Sequence, residues 1–233
     1  AFLLNLNSKW KKGYPEMDRA RALAMAVREF HFKEFEIMSK VMPLLGLPGD
    51  KTVLEFYRKA DQFPASFKDL IEDGPLPLRG ILPFLKFSGN DLNYFAKNVG
   101  AKVKLTSSQW SQTGEWLSDI MKGTGKSLRK ICGEHKALAT LNARGMDPRT
   151  QADRFFALIK RLRFPGYSRH LEAFEKQRAD ILRDSPEFRL EHIQGFEEPG
   201  FELHARVKNP KELDRLLQRL SLKRSLLNSL FEI

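Results

Sequence analysis

Cysteine is nearly absent from this chain. Cys132 stands alone among 233 residues, which excludes a disulfide framework and a cysteine-rich zinc site. No apolar run approaches the roughly 20 residues that a membrane span needs, so no membrane partner is expected. The five histidines, His31, His135, His170, His192 and His204, are scattered, and none forms an HExxH or similar ligand-spaced pair. Cys132-Gly133-Glu134-His135 has no second ligand pair at zinc spacing. The GxSxG elbow, the Walker lysine loop and the GxGxxG turn are missing too. Gly123-Thr124-Gly125-Lys126-Ser127 resembles the end of a phosphate loop. Without the first glycine and a preceding apolar strand, it reads as a helix-start turn that can offer N–H groups to a phosphate. These absences leave no catalytic residue, no metal site and no cofactor to assign, and the protein is expected not to be an enzyme. The single thiol and the lack of a signal-peptide pattern point to a reducing cytoplasm, and Ala1 in place of methionine to a trimmed chain.

What the chain has in excess is positive charge, with 40 Lys+Arg against 29 Asp+Glu, net +11. With 42% hydrophobic residues and 18 Phe it is far too apolar for a disordered tail, and long enough to bury a core without staples. The excess is uneven. Residues 1–120 hold 17 cationic and 14 anionic side chains, residues 121–164 hold 11 and 3, and residues 165–233 hold 12 of each. Eight of the eleven excess charges therefore lie in residues 121–164. Such a block suits an electrostatic footprint for phosphates, against the alternative of a solvated helix face.

Periodicity is helical over most of the length. Helices are expected over Glu16 to Phe30, Phe32 to Leu45 (kinked or ending near Pro43), Lys51 to Gln62 behind an Asp50 cap, and a short stretch after Pro64 closed by Gly74. Pro75 and Pro77 bracket a turn before Leu78 to Phe87. Further helices are expected over Asp91 to Val99, from a Thr106/Gln109 capping box to about Ile120, over Lys126 to Ala143, over Pro148 to Arg163, and from Ser168 to Arg183. The period then changes. Arg189 to Phe196 and Phe201 to Val207 alternate around Glu197-Glu198-Pro199-Gly200 as a hairpin. Asn209-Pro210-Lys211-Glu212 opens a last helix carrying Leu213, Leu216, Leu217, Leu220, Leu227 and Leu230. The fold class is mostly α, a helical domain followed by a small α+β strand–strand–helix unit. The expected regions are 1–100, 101–185 and 186–233.

Residues 33–62 have the form of a helix-turn-helix. A helix with Phe35, Ile37, Val41 and Leu45 meets a tight turn at Gly46 to Gly49. The next helix places Lys51, Thr52, Glu55, Arg58 and Lys59 on one side, with Val53, Phe56 and Tyr57 available for packing. In such a motif the second helix enters the major groove; the alternative is an ordinary antiparallel helix pair.

The order of segments resembles the ParB family of partition proteins over about residues 1–90. The residues carrying the resemblance are Asn5-Leu6-Asn7 with Lys9, Glu16 opening a helix, Glu36-Ile37 on the bracing helix, Leu45-Gly46-Leu47 at the turn, Thr52-Val53, Phe63-Pro64, and Ile71-Glu72-Asp73-Gly74-Pro75-Leu76. The terminal Phe201 to Leu220 stretch is similar to that family's small dimerisation unit. The family's arginine-rich nucleotide motif is missing, so nucleotide-dependent activity would belong to an N-terminal domain this sequence does not contain. Pro48-Gly49 stands where a small Ser or Thr is common, which leaves the target sequence open.

The resemblance implies a double-stranded DNA partner, a homodimer through residues 186–233, a partition ATPase as a further partner, and a cytoplasmic, nucleoid-associated setting. Lys51, Thr52, Glu55, Arg58 and Lys59 are the expected contacts of the reading helix. Lys122, Lys126, Arg129, Lys130, Lys136 and Arg144 are the expected phosphate contacts. The alternatives are a helical protein-interaction module with a basic face and a transcriptional regulator using the same helix pair. An enzyme acting on nucleic acid would need clustered carboxylates, and Asp69, Glu72 and Asp73 are better explained as an exposed helix end.

Overall fold

The structure, a computed structural model, describes residue 3 and residues 14–72, 76, 78–142, 146–183, 188–193 and 200–232. These are mostly helical, with one two-stranded antiparallel sheet among the described residues. The chain forms two compact units, residues 1–163 and 164–233. This differs from the three expected regions, because residues 101–163 bury their apolar faces in a core shared with residues 60–100. The Pro165–Leu182 helix instead packs with the hairpin that follows it.

In the first unit the Glu16–Arg28 helix buries Met17, Ala20, Leu23 and Ala26. It packs on the Lys51–Asp61 helix, which contributes Leu54 and Tyr57. Between them runs a helical stretch of three parts, Glu34–Glu36 in α form, Ile37–Val41 in π form and Met42–Leu44 in α form. The π turn ends two residues before Pro43. A proline ring clashes with the carbonyl four residues back and supplies no N–H. A wider turn absorbs both defects, and the Met42 amide reaches back to the Ile37 carbonyl.

The second core of this unit is aromatic. Phe67, Phe84, Phe95 and Trp110 are all buried. Phe84 and Phe95 centroids lie 4.8 Å apart and those of Phe95 and Trp110 5.7 Å, in the tilted and edge-on geometries that aromatic quadrupoles favour. Trp110 sits on the Ser107–Thr124 helix, which opens with the expected capping box: the Gln109 amide donates to Thr106 Oγ1 at 3.2 Å and the Thr106 amide to Gln109 Oε1 at 3.0 Å.

The basic segment departs from the single helix expected over Lys126 to Ala143. It forms two short helices, Leu128–Glu134 and Ala137–Leu141, separated at His135 and Lys136. Lys136 adopts a left-handed φ of 51°. The break lets Leu128, Ile131 and Cys132 and then Ala137 and Leu141 all reach buried positions, which one straight helix does not allow across this spacing.

In the second unit, β1 (Phe188–His192) pairs with β2 (Phe201–Ala205), Phe188 opposite Ala205 and His192 opposite Phe201. The Pro165–Leu182 helix begins three residues before Ser168, with Pro165 in its first turn, where a proline loses no hydrogen bond. Phe174, Ile181, Leu190 and Leu230 form the core. Asn209 caps the Pro210–Leu222 helix by accepting from the Glu212 amide. That helix ends at Lys223 and is followed by Arg224–Asn228, so the last helix is shorter than the leucine pattern implies. None of its residues is buried.

Candidate nucleic-acid interface

The turn of the helix pair is built by two glycines and an aspartate. Gly46 has a φ of 68°. Its amide donates to the Pro43 carbonyl at 3.0 Å and the Leu47 amide to the Met42 carbonyl at 2.9 Å. This is the Schellman closure of a helix, which needs a left-handed residue after the last turn. Gly49 is required by proximity: a Cβ there would stand 2.6 Å from the Met38 carbonyl oxygen. Asp50 Oδ1 then accepts from the Val53 amide at 3.1 Å and starts the second helix.

At 100° per residue, Leu54, Tyr57 and Ala60 fall on one side of the Lys51–Asp61 helix, and these are its buried residues. Lys51, Thr52, Glu55, Arg58 and Lys59 fall on the opposite side. Lys51, Thr52 and Lys59 are exposed, and Glu55 and Arg58 half-buried. The five expected contact residues thus share one solvent-facing surface.

That surface is less positive than its lysines and arginine suggest. Glu34, from the preceding helical stretch, lies 3.3 Å from Lys51 Nζ through one oxygen and 3.3 Å from Arg58 Nη1 through the other. Arg58 also donates to Glu55 at 2.9 Å. The hydrogen bond and charge of Lys51, followed by Arg58, hold the Glu34 carboxyl below the usual carboxylate range. Glu34 is the residue that sequence reasoning missed. Its distance of 24 positions from Arg58 gives no local signal.

The helix is also tied from behind. Tyr57 donates from its hydroxyl to Glu16 at 2.5 Å, and burial, then this bond, push its pKa up to about 12. Arg28 bridges to Asp61 at 2.9 Å.

The second set of expected contacts divides in two. Lys126 is held by Glu134 at 2.6 Å, and this bond is the first cause of a lowered Glu134 pKa. Lys122, Arg129, Lys130 and Lys136 are exposed and form no ion pair among the described residues. Arg144 lies outside the described residues, as do Asn5-Leu6-Asn7 with Lys9, and Asp73, Gly74, Pro75 and Pro77.

Three amides at and just after the turn at Gly123 to Ser127 are already engaged within the chain. The Leu128 amide donates to Asp91 Oδ1 at 2.9 Å, the Lys130 amide to Ser127 Oγ at 3.4 Å, and the Lys126 amide to Thr124 Oγ1 at 3.4 Å. These donors already have internal acceptors. Cys132 is buried, and burial pushes its pKa up to about 11, so it is an inert core thiol at neutral pH.

On the hairpin, Glu191, Glu202 and His204 bring ligand-type atoms within 4.8 Å of one another. Arg189 bridges Glu191, and His204 lies 3.1 Å from Glu202. Each of these ion pairs runs along one strand, and between the strands Glu191 stands directly opposite Glu202.

Comparison with protein-family models, with curated proteins and with solved structures returned no match.

Proposed function

We propose that this chain is a DNA-binding protein of the ParB-like partition type, reading double-stranded DNA through the Lys51–Asp61 helix. The observation that carries this reading is the two-faced helix. Leu54, Tyr57 and Ala60 anchor it, while Lys51, Thr52, Glu55, Arg58 and Lys59 share the exposed side behind a Gly46–Gly49 turn. That is what a groove-reading helix requires. Lys122, Arg129, Lys130 and Lys136 supply phosphate contacts that are sequence-independent. All eleven excess charges of the chain lie in residues 1–163, with 28 cationic against 17 anionic side chains. Residues 164–233 supply the homodimer contact through the exposed leucines of the Pro210–Leu222 helix. Two reading heads then address a two-fold site. A partition ATPase as partner and a nucleoid-associated setting belong to the same reading.

The test is a salt titration of duplex DNA binding. Affinity should fall linearly on logarithmic axes, and Lys130→Ala should weaken all sequences alike and reduce the slope by about 1. Arg58→Ala should cost ~1–3 kcal/mol on a selected site and relax its specificity. Failure to bind duplex DNA at low ionic strength rejects the reading.

A second reading is favoured by Glu34, which occupies Lys51 and Arg58. In it the chain is a helical interaction module whose remaining cations meet an acidic protein. Binding to such a protein that survives Arg58→Ala, together with no DNA binding, selects it. A transcriptional regulator would use the same helix pair, and recruitment of a partition ATPase separates the two.

A further inference from the structure

Two carboxylates close on a single nitrogen on the outer side of the Lys51–Asp61 helix. Arg58 Nη1 donates to Glu55 Oε1 at 2.9 Å and to Glu34 Oε2 at 3.3 Å. Glu55 lies one turn back on the same helix, and Glu34 comes from the helical stretch before the Gly46–Gly49 turn. The other Glu34 oxygen meets Lys51 Nζ at 3.3 Å. Lys51, Glu34, Arg58 and Glu55 therefore form a network of two cations and two anions with no net charge.

The guanidinium is held but not used up. It has five N–H donors in a fixed plane, and the two acceptors on Nη1 engage the two that this nitrogen carries. Nε and Nη2 have no acceptor among the described residues. Together they make a pair of parallel donors along one edge. Tethering from two elements removes much of the rotamer freedom that a loose arginine would lose on binding.

Charge then selects what that edge can take. An incoming phosphate or carboxylate brings its negative charge up to Glu34 and Glu55, and like charges at close range repel. A pair of acceptors with no net charge meets no such repulsion. Guanine presents O6 and N7 side by side in the major groove, whereas adenine and cytosine each present an amino donor there and thymine a single acceptor.

We infer, resting on the DNA-binding reading proposed above, that Arg58 reads a guanine through its Nε and Nη2 edge and that Glu34 and Glu55 are positioning residues for that contact. The two carboxylates also turn phosphate away from Arg58, so they set the margin between a specific site and other DNA. Lys122, Arg129, Lys130 and Lys136 supply the sequence-independent attraction instead.

Selection from a randomised duplex pool tests this with the full chain, followed by anisotropy titration of the selected site and its single-base variants. One guanine is expected whose replacement weakens the wild type by about tenfold or more and leaves Arg58→Ala unaffected. Placing 7-deazaguanine there, which lacks the N7 acceptor, should weaken the wild type by about fivefold and again leave Arg58→Ala unaffected. Glu34→Gln and Glu55→Gln keep the side-chain shape at partly exposed positions. Each should cut the preference at that guanine by about threefold to tenfold, with the preference at other positions of the site unchanged. A role only in holding the fold would lower every position together. Unchanged preference at that guanine in either glutamine variant, an equal loss at all positions, or a selected site with no Arg58-dependent guanine overturns the inference and leaves the DNA-binding reading standing. Absence of duplex binding by the wild type removes the reading itself, and the inference with it.

Discussion

Both carboxylate oxygens of Glu34 are taken by cations of the next helix, Lys51 and Arg58. A phosphate approaching that helix must displace Glu34 from them. Glu34→Gln should therefore raise affinity for non-specific duplex DNA and steepen the salt dependence by about one to two ions. Fluorescence anisotropy across a salt series reads both quantities, and an unchanged slope would show that these two cations never meet phosphate. The depressed Glu34 carboxyl also has a sign in stability. Its contribution is fully present above the ordinary carboxylate pKa and is lost as pH falls through its lowered folded value.

Tyr57 works in the opposite sense. Its folded pKa is raised to about 12, so its contribution is complete below the ordinary value near 10. It is lost as pH rises through the folded value. The thermal midpoint of the wild type should fall steeply between pH about 10 and 12, and Tyr57→Phe should flatten that fall. Absorbance-detected melting in a pH series measures it.

The turn is the element on which the proposed reading surface depends. Gly49 has the Met38 carbonyl where a Cβ would be, at 2.6 Å. Gly49→Ala must move that backbone or the turn, at a cost of about 1–3 kcal/mol, measurable by urea denaturation. An unaltered midpoint would mean that the turn relaxes freely.

Elements also show where sequence patterns reach their limit. The Thr106/Gln109 box, the Asp50 cap and the Asn209–Pro210–Glu212 start all appear as hydrogen bonds in the structure. Each is legible because its partners lie within four residues. The continuous basic helix was not. Residues 126–143 keep a helical composition, and only the need to seat Leu128, Cys132, Ala137 and Leu141 in one core explains the break at Lys136. The same holds for the candidate interface. The five polar positions of the reading helix follow from a 3.6-residue period, whereas the partnering of two of them with Glu34 does not.

At the scale of the molecule, the excess charge lies in one unit and the leucine-bearing exposed helix in the other. Residues 1–163 hold the whole excess of positive charge, and residues 164–233 hold a helix with Leu213 and Leu217 at 44% and 53% exposure. Leu213, Leu216, Leu217 and Leu220 recur at the spacing of a packing face. Under the proposed pairing, Leu217→Asp should convert a dimer to a monomer in sedimentation equilibrium. The thermal midpoint of the monomer should change little, because Leu217 is not a core residue. If the wild type is already monomeric, pairing through this helix is ruled out.

The sequence by itself determined what is local. It set the mostly helical class, the caps, the hairpin, the leucine period and the segmental distribution of charge, because each depends on residues a few positions apart. Tertiary structure alone decided two other matters. It divided the chain after Arg163 and gave Lys51, Arg58 and Lys126 to carboxylates. The physical reason is common to both. A side chain's partner is set by which surfaces the core brings within a few ångströms, and neither periodicity nor composition encodes that distance.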